Sequence, residues 1–275
     1  MALAQAEKAR RFQELHRRPG AFVIPNPWDA GSARVLAAMG FEALATTSSG
    51  FAFSVGKSDG DTTRDELMAH LRMLSAATDL PVSADLEKCF GDDPRTVAET
   101  ITLAAATGIV GGSVEDFSGD RAKPLYDFSL AVERVAAAVE AARALPFPFT
   151  LTARAENFLR GNPDLDDTIR RLQAFEKAGA DVLYAPFLPD IAAIRTVCSA
   201  LKKPVNVLAG RPNIPVAELA AAGVKRISLG GLLFCAAFGG LLRAVRELKE
   251  AGTFTFVKDA ATNAELNKLF AVFAG

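Results

Sequence analysis

The sequence predicts an α/β protein, a closed (β/α)8 barrel of TIM type, on three observations. Short apolar runs alternate with segments of helical periodicity eight times along 275 residues, the runs carry few polar interruptions, and no linker or low-complexity stretch divides the chain. Right-handed crossovers place each helix outside such a sheet, and eight strands close it. An open doubly wound sheet is the rival. No Gly-x-Gly-x-x-Gly turn follows the first strand, which lowers its dinucleotide-binding version. The expected organisation is one domain over residues 1–275, with 252–275 a C-terminal helical extension.

In chain order, a charged helix-like lead (2–18) is broken by Pro19-Gly20, and the run 21–24 before Pro25-Asn26-Pro27 is the first strand. Asp29 can cap a helix over 30–39 that Gly40 stops. The second strand is 43–47; a Ser- and Gly-rich loop (48–61) leads to a helix over 62–78 with Thr62 as candidate cap. The third unit pairs 82–85 with 94–106, where Pro94 suits a first helical turn, and the fourth pairs 111–115 with 128–144. Units five to eight pair 149–153 with 165–177, 181–185 with 191–201, 204–208 with 216–222, and 226–229 with 232–249. Residues 257–273 read as an extra helix with Leu266, Leu269, Phe270 and Phe273 on one face.

Composition narrows the function. Half the residues are apolar and the formal net charge is −1, so no nucleic-acid or membrane-surface partner is expected and the substrate should be small. Three widely spaced cysteines argue against a disulfide framework and a thiolate zinc site. The lead lacks the apolar core of a signal peptide, and no window has the length of a membrane span, so a cytoplasmic location is expected. His16 and His70 are the only histidines, which leaves metal chemistry to carboxylates.

Barrel function sits at the C-terminal ends of the strands. Those ends carry Asn26, Trp28 and Asp29, then residues 47–50, Asp85 and Glu87, Glu115 and Asp116, and Arg154 with Glu156, while Asn206 lies within strand seven. If extended pairing persists to Glu87, Asp85 and Glu87 leave the backbone on one side, a hard-donor pair suited to Mg²⁺. The alternative is a turn-capping Asp85 and a solvated Glu87. Arg154 has two readings, a carboxylate-binding fork or a plain partner for Glu156. Trp28 reads as packing at the barrel mouth as well as a substrate contact, and Gly230-Gly231 before a helix reads as a phosphate cup.

The chain resembles the isocitrate lyase/phosphoenolpyruvate mutase superfamily. The resemblance is carried by Pro25-Asn26-Pro27-Trp28-Asp29-Ala30, Thr47-Ser48-Ser49-Gly50, Ser83-Ala84-Asp85-Leu86-Glu87 with Phe90-Gly91-Asp92, Ser113-Val114-Glu115-Asp116 and Ala153-Arg154. It implies Mg²⁺, with Mn²⁺ as the substitute, held by Asp85, Glu87 and Glu115, partly through water. It also implies a substrate carboxylate bound by Ser49, Gly50 and Phe51, a supporting acid at Asp59, and a substrate-pairing Arg154. The expected activity is that of a lyase: C–C cleavage or decarboxylation of a small 2-oxo or 2-hydroxy acid beside a stabilised enolate. Phosphonopyruvate-type C–P chemistry and a catalytically silent 2-oxo-acid-binding barrel are the alternatives. The loop after strand four, residues 116–126, has neither the Lys-Lys-Cys-Gly-His of the lyases nor the Lys-Lys-Asn-Ser of the mutases. Its Lys123 or Arg121 is the candidate for contributing catalytic charge, with no single residue expected as an indispensable acid. The resemblance further implies a homo-oligomer, dimer or tetramer, with a C-terminal helix exchanged between subunits.

Overall fold

The computed structural model describes residues 3–210 and 212–273. Its strands are β1 (Phe22–Ile24), β2 (Leu44–Ala45), β3 (Val82–Asp85), β4 (Gly111–Glu115), β5 (Thr150–Arg154), β6 (Val182–Tyr184), β7 (Val205–Leu208) and β8 (Arg226–Ser228). They pair in parallel in the order β1-β8-β7-β6-β5-β4-β3-β2. The gap between β1 and β2 is bridged by the Ala45 N–H donating to the Pro25 carbonyl at 3.0 Å. Asn26 reinforces the seam: its amide donates to the Thr46 carbonyl at 2.9 Å, and its Oδ1 accepts from the N–H groups of Leu229 and Gly230. One side chain thus ties the end of β1 to both neighbours, and the (β/α)8 barrel predicted from periodicity is the observed fold.

The helices are α1 (Gln5–Arg17), α2 (Ala30–Ala38), α3 (Ser48–Ser54), α4 (Arg64–Ala77), α5 (Pro94–Ala105), α6 (Phe128–Arg143), α7 (Leu165–Ala178), α8 (Ile191–Ala200), α9 (Val216–Ala221), α10 (Leu232–Ala251) and α11 (Asn263–Ala271). Helix α1 packs at the N-terminal ends of the strands, where Phe12 is fully buried with Ile24, Ala43 and Val110. Gly111 makes room for it, because a Cβ there would stand 2.8 Å from the Thr150 carbonyl and 3.0 Å from the Phe12 ring. The plug leaves the opposite end of the barrel for chemistry.

Three expectations need correction. The loop 48–61 contains α3, whose N-terminus is capped by Thr47 Oγ1 accepting from the Gly50 N–H at 3.2 Å. The next helix begins at Arg64, and its cap is Thr63, in a reciprocal box with Glu66, not Thr62. The tail is two pieces, a 3₁₀ turn at Thr255–Asp259 and α11, because Thr262 opens a new capping box with Glu265. Helix α11 packs on α2 of its own chain, leaving Leu266, Leu269, Phe270 and Phe273 half-buried. Phe254, Val257 and Val272 of the tail stay exposed, and a further apolar face lies on α10, where Phe234 alone of its twenty residues is buried.

Candidate active site

Parallel register brings the polar strand ends to one level. Glu115 is beside Arg154, Arg154 beside Tyr184, and Asp85 beside Ser113. Arg154 then spans the carboxylates around it: Nη1 lies 3.0 Å from Asp85 Oδ1, and Nη2 lies 3.1 Å from Glu115 Oε2 and 2.7 Å from Glu156 Oε1. The Tyr184 ring lies 5.1 Å from the guanidinium. Burial alone would lower the Arg154 pKa, but Glu156, Glu115 and Asp85 outweigh it, so the net direction is upward and the cation is secure. Burial, and next the charge of Glu156, push the Glu115 carboxyl upward, with Arg154 and Arg160 pulling it back. Of the two sequence readings of Arg154, the pairing with Glu156 is the one the geometry displays.

Asp85 is held on both oxygens. Oδ1 also accepts from Ser113 Oγ and the Glu87 N–H, each at 3.4 Å, and Oδ2 accepts from the Ser48 N–H at 3.3 Å, which ties it to the first turn of α3. Glu87 differs. Among the described residues its carboxylate has no ion pair, and burial, then Asp85 and Asp59, push it up to about 7. Asp59 is raised too, by burial first and Asp85 second.

The period-two argument for the Asp85–Glu87 pair does not hold. β3 ends at Asp85, and Glu87 enters a turn with φ of 50°, followed by Cys89 at 60° and Phe90 at 61°. Left-handed backbone costs a residue with a Cβ on the order of 1–2 kcal/mol. It is this turn that sends Glu87 back toward Asp85. Cys89 is buried within it, and desolvation pushes its thiol up to about 12, which removes it as a nucleophile.

The segment after β4 is a folded loop. Phe117 and Leu125 form an antiparallel bridge, the Ser118 N–H donates to the Pro124 carbonyl at 2.8 Å, and the Tyr126 N–H donates to the Asp116 carbonyl at 2.9 Å. Asp116 is buried at its base, accepting from the Glu156 N–H and from Arg171, and desolvation pushes it up to about 6. Lys123 sits at the exposed tip, 3.0 Å from Asp127, and among the described residues contacts none of the clustered carboxylates.

Of the other candidates, Trp28 packs edge-on against Phe234 at 5.4 Å. Phe51 is buried with its ring stacked on His70 at 3.9 Å. Ser49 and Gly50 form the first turn of α3, and Ser49 Oγ crowds Gly231 so closely that a Cβ there would come within 2.7 Å. Asn206 faces the barrel interior, donating to Ser228 Oγ and accepting from Arg226, both bonds fully buried. Lys88, the nearest amine to a strand end, is committed to the Ser118 carbonyl and Asp92. Sequence reading missed Arg160. It bonds Glu115 at 3.3 Å and Glu156 at 3.1 Å and lies 3.6 Å from the Phe117 ring. Its position one turn past Glu156 was the only signal in the sequence.

No three acidic, cysteine or histidine side chains among the described residues converge as a ready metal site, because Arg154 stands between Asp85 and Glu115.

Comparison with known proteins gives a consistent picture. Residues 12–249 match the family described as phosphoenolpyruvate phosphomutase. The crystal structure of a candidate lyase/mutase from Burkholderia cenocepacia J2315 is 58% identical, with a TM-score of 0.95 over 97% of this chain and 96% of that one. A 2,3-dimethylmalate lyase structure is 27% identical, with a TM-score of 0.84 over 98% and 99% of the two chains. The oxaloacetate decarboxylase of Paraburkholderia xenovorans is 28% identical over 265 residues, 93% of this chain and 86% of that protein.

Proposed function

The chain belongs to the phosphoenolpyruvate phosphomutase family, and from that premise we infer that it is a divalent-cation-dependent enzyme of lyase type. On this reading it breaks a carbon–carbon bond, including by decarboxylation, in a small 2-oxo or 2-hydroxy carboxylic acid. The observation that carries the reading is the charge of the cluster: among the described residues, Asp59, Asp85, Glu87, Glu115 and Glu156 face only the cations Arg154 and Arg160. Glu87, without an ion pair among the described residues and pushed up to about 7, marks where negative charge is least compensated there. Hard oxygen donors with surplus negative charge fit Mg²⁺ or Mn²⁺. Asp85 and Glu87 are the residues that would hold the ion, with Glu115 and Asp59 reaching it through water. When bound, the cation supplies a Lewis acid that stabilises the enolate left by C–C cleavage.

The protein's own groups do the rest. Arg154, whose Nε and Nη2 hold Glu156 and Glu115, would offer Nη1 as a charged donor to the substrate carboxylate. On this reading Ser49, in the first turn of α3, contacts the same end of the substrate, beside a Gly50 N–H that Thr47 caps. The loop after β4 shields the cluster from bulk water and carries no cysteine or histidine. Tyr126, whose hydroxyl is raised by burial and donates to Asp92, holds its proton. Decarboxylation suits this inventory. For oxaloacetate, the C3–C4 bond breaks, carbon dioxide leaves, the electron pair remains as the pyruvate enolate, and water protonates C3. The oxaloacetate decarboxylase relative lends support to this choice.

The test is a panel of oxaloacetate, 2-methylmalate, 2-methylisocitrate, isocitrate and phosphonopyruvate, assayed for product with Mg²⁺ and with chelator. Mg²⁺-dependent pyruvate from oxaloacetate, or Mg²⁺-dependent cleavage of another carbon acid, supports the reading. Turnover of phosphonopyruvate alone would move the protein to C–P chemistry, and no turnover with retained binding would make it a silent binder.

A further inference from the structure

Arg134, on α6, is among the largest fully buried side chains and lies outside the carboxylate cluster. Among the described residues no carboxylate is hydrogen-bonded to its guanidinium. Instead Nη1 donates to the carbonyls of Gly91 and Asp92, each at 2.6 Å, and Nη2 to the carbonyl of Lys88 at 2.5 Å. Those three carbonyls belong to the left-handed turn that begins at Glu87. The other face of the guanidinium covers the Tyr126 ring at 4.3 Å. Tyr126 ends the loop after β4, and its hydroxyl donates back to Asp92. A second tie runs nearby, from Lys88 Nζ to the Ser118 carbonyl at 2.8 Å.

We propose that Arg134 is a positioning residue that makes the turn 87–92 and the loop 117–126 one mechanical unit, so that the placement of Glu87 is set jointly by both loops. A guanidinium buried among backbone carbonyls is a rigid three-point brace, and such a brace offsets the cost of a turn that three left-handed residues disfavour. Because the same cation also packs on Tyr126, displacement of the loop end must disturb the turn, and the reverse. Only the exposed tip of the loop, residues 119–123, is free of this coupling. The proposal rests in part on Glu87 serving the cation site, and its test is arranged so that the two stand or fall separately.

Amide hydrogen exchange on the full chain is the primary readout. Arg134→Met should speed exchange by about tenfold or more in both 87–92 and 117–126 while β4 and β5 stay protected. Tyr126→Phe, which deletes one hydroxyl and is the variant safer for folding, should speed exchange across the gap in 87–92. Arg134→Lys should restore part of the protection in both segments, since an ammonium can still donate to carbonyls. Mn²⁺ affinity of the protein alone, read by electron paramagnetic resonance, should weaken about tenfold to a hundredfold in Arg134→Met, as for loss of outer-shell support. If the parent protein takes up no Mn²⁺, the proposed function falls and the exchange data still decide the brace. Loosening confined to one segment, or Tyr126→Phe leaving 87–92 unchanged, overturns the proposal.

Discussion

Arg154 on β5 reaches across β4 to bond Asp85 on β3, with Nη1 3.0 Å from Oδ1. The same guanidinium engages Glu115 and Glu156, which share Arg160 as a second cation, whereas Asp85 has no other ion pair among the described residues. Replacing Arg154 with Met should leave Asp85 without an ion pair and Glu115 and Glu156 to Arg160 alone, and cost about 3–5 kcal/mol in denaturant unfolding. Arg154→Lys, a point charge for a planar fork, should fold but bind oxalate, a mimic of the enolate, about tenfold more weakly. Unchanged oxalate affinity in Arg154→Lys would reassign the residue to structure alone.

His70 supplies a pH prediction with a definite sign. Neither ring nitrogen has a hydrogen-bond partner in its buried site, and desolvation lowers its pKa to about 4 from an ordinary 6.5. The unfolded chain therefore takes up this proton first. Its contribution to stability is complete above about 6.5 and is lost as the pH falls toward 4. His70→Phe, which keeps an aromatic face against Phe51, should remove that acid loss, on the order of 3 kcal/mol across the window. Parallel stability curves for the two proteins between pH 7 and 4 would contradict the burial of a neutral imidazole.

Lys123 gives a contrast with the resemblance-based expectation. Its ammonium is paired with Asp127 at the loop tip, both side chains about two-thirds exposed. Lys123→Ala should therefore change kcat/KM by less than about tenfold, or about 1.4 kcal/mol in barrier. A loss of thousandfold would mean that the tip folds inward during turnover and delivers this amine.

Association is the fourth expectation, and α10 adds a second apolar face to that of the tail. Leu241, Leu242 and Val245 are each about half exposed (52%, 51% and 49%) on a helix that buries one residue against its own chain. A face of this kind is ordinarily covered by another subunit, and we propose a second copy of this chain. Light scattering should give a dimer or larger at micromolar concentration, and Leu241→Glu with Leu242→Glu should weaken it. A clean monomer in the parent protein would refute the assignment.

The barrel was legible in the sequence because eight strand-helix alternations leave few other solutions, and because the cap Asp29 and the first-turn Pro94 mark helix starts locally. Helix α3 was not, since Ser48-Ser49-Gly50 has weak helix propensity and the turn is held by the Thr47 cap and by Asp85, which accepts from the Ser48 N–H. Within the site, strand-end acids are visible as residue types, and their neighbours follow from register. The pairing of Arg160 with Glu115 is not visible, because it depends on how the loop after β5 folds back over β4. The Glu87 turn was misread for a related reason: left-handed residues with a Cβ leave no sequence signature, and the brace that sustains them comes from α6, more than forty residues away.

Whether this carboxylate cluster works with a divalent cation is decided by calorimetric titration of oxalate into the parent protein, Asp85→Ala and Glu115→Ala, each with Mg²⁺ and with chelator. Binding to the parent is expected only when Mg²⁺ is present, with no Mg²⁺-dependent binding to either folded variant. Oxalate affinity that is equal with and without Mg²⁺, or retained in both variants, would contradict it.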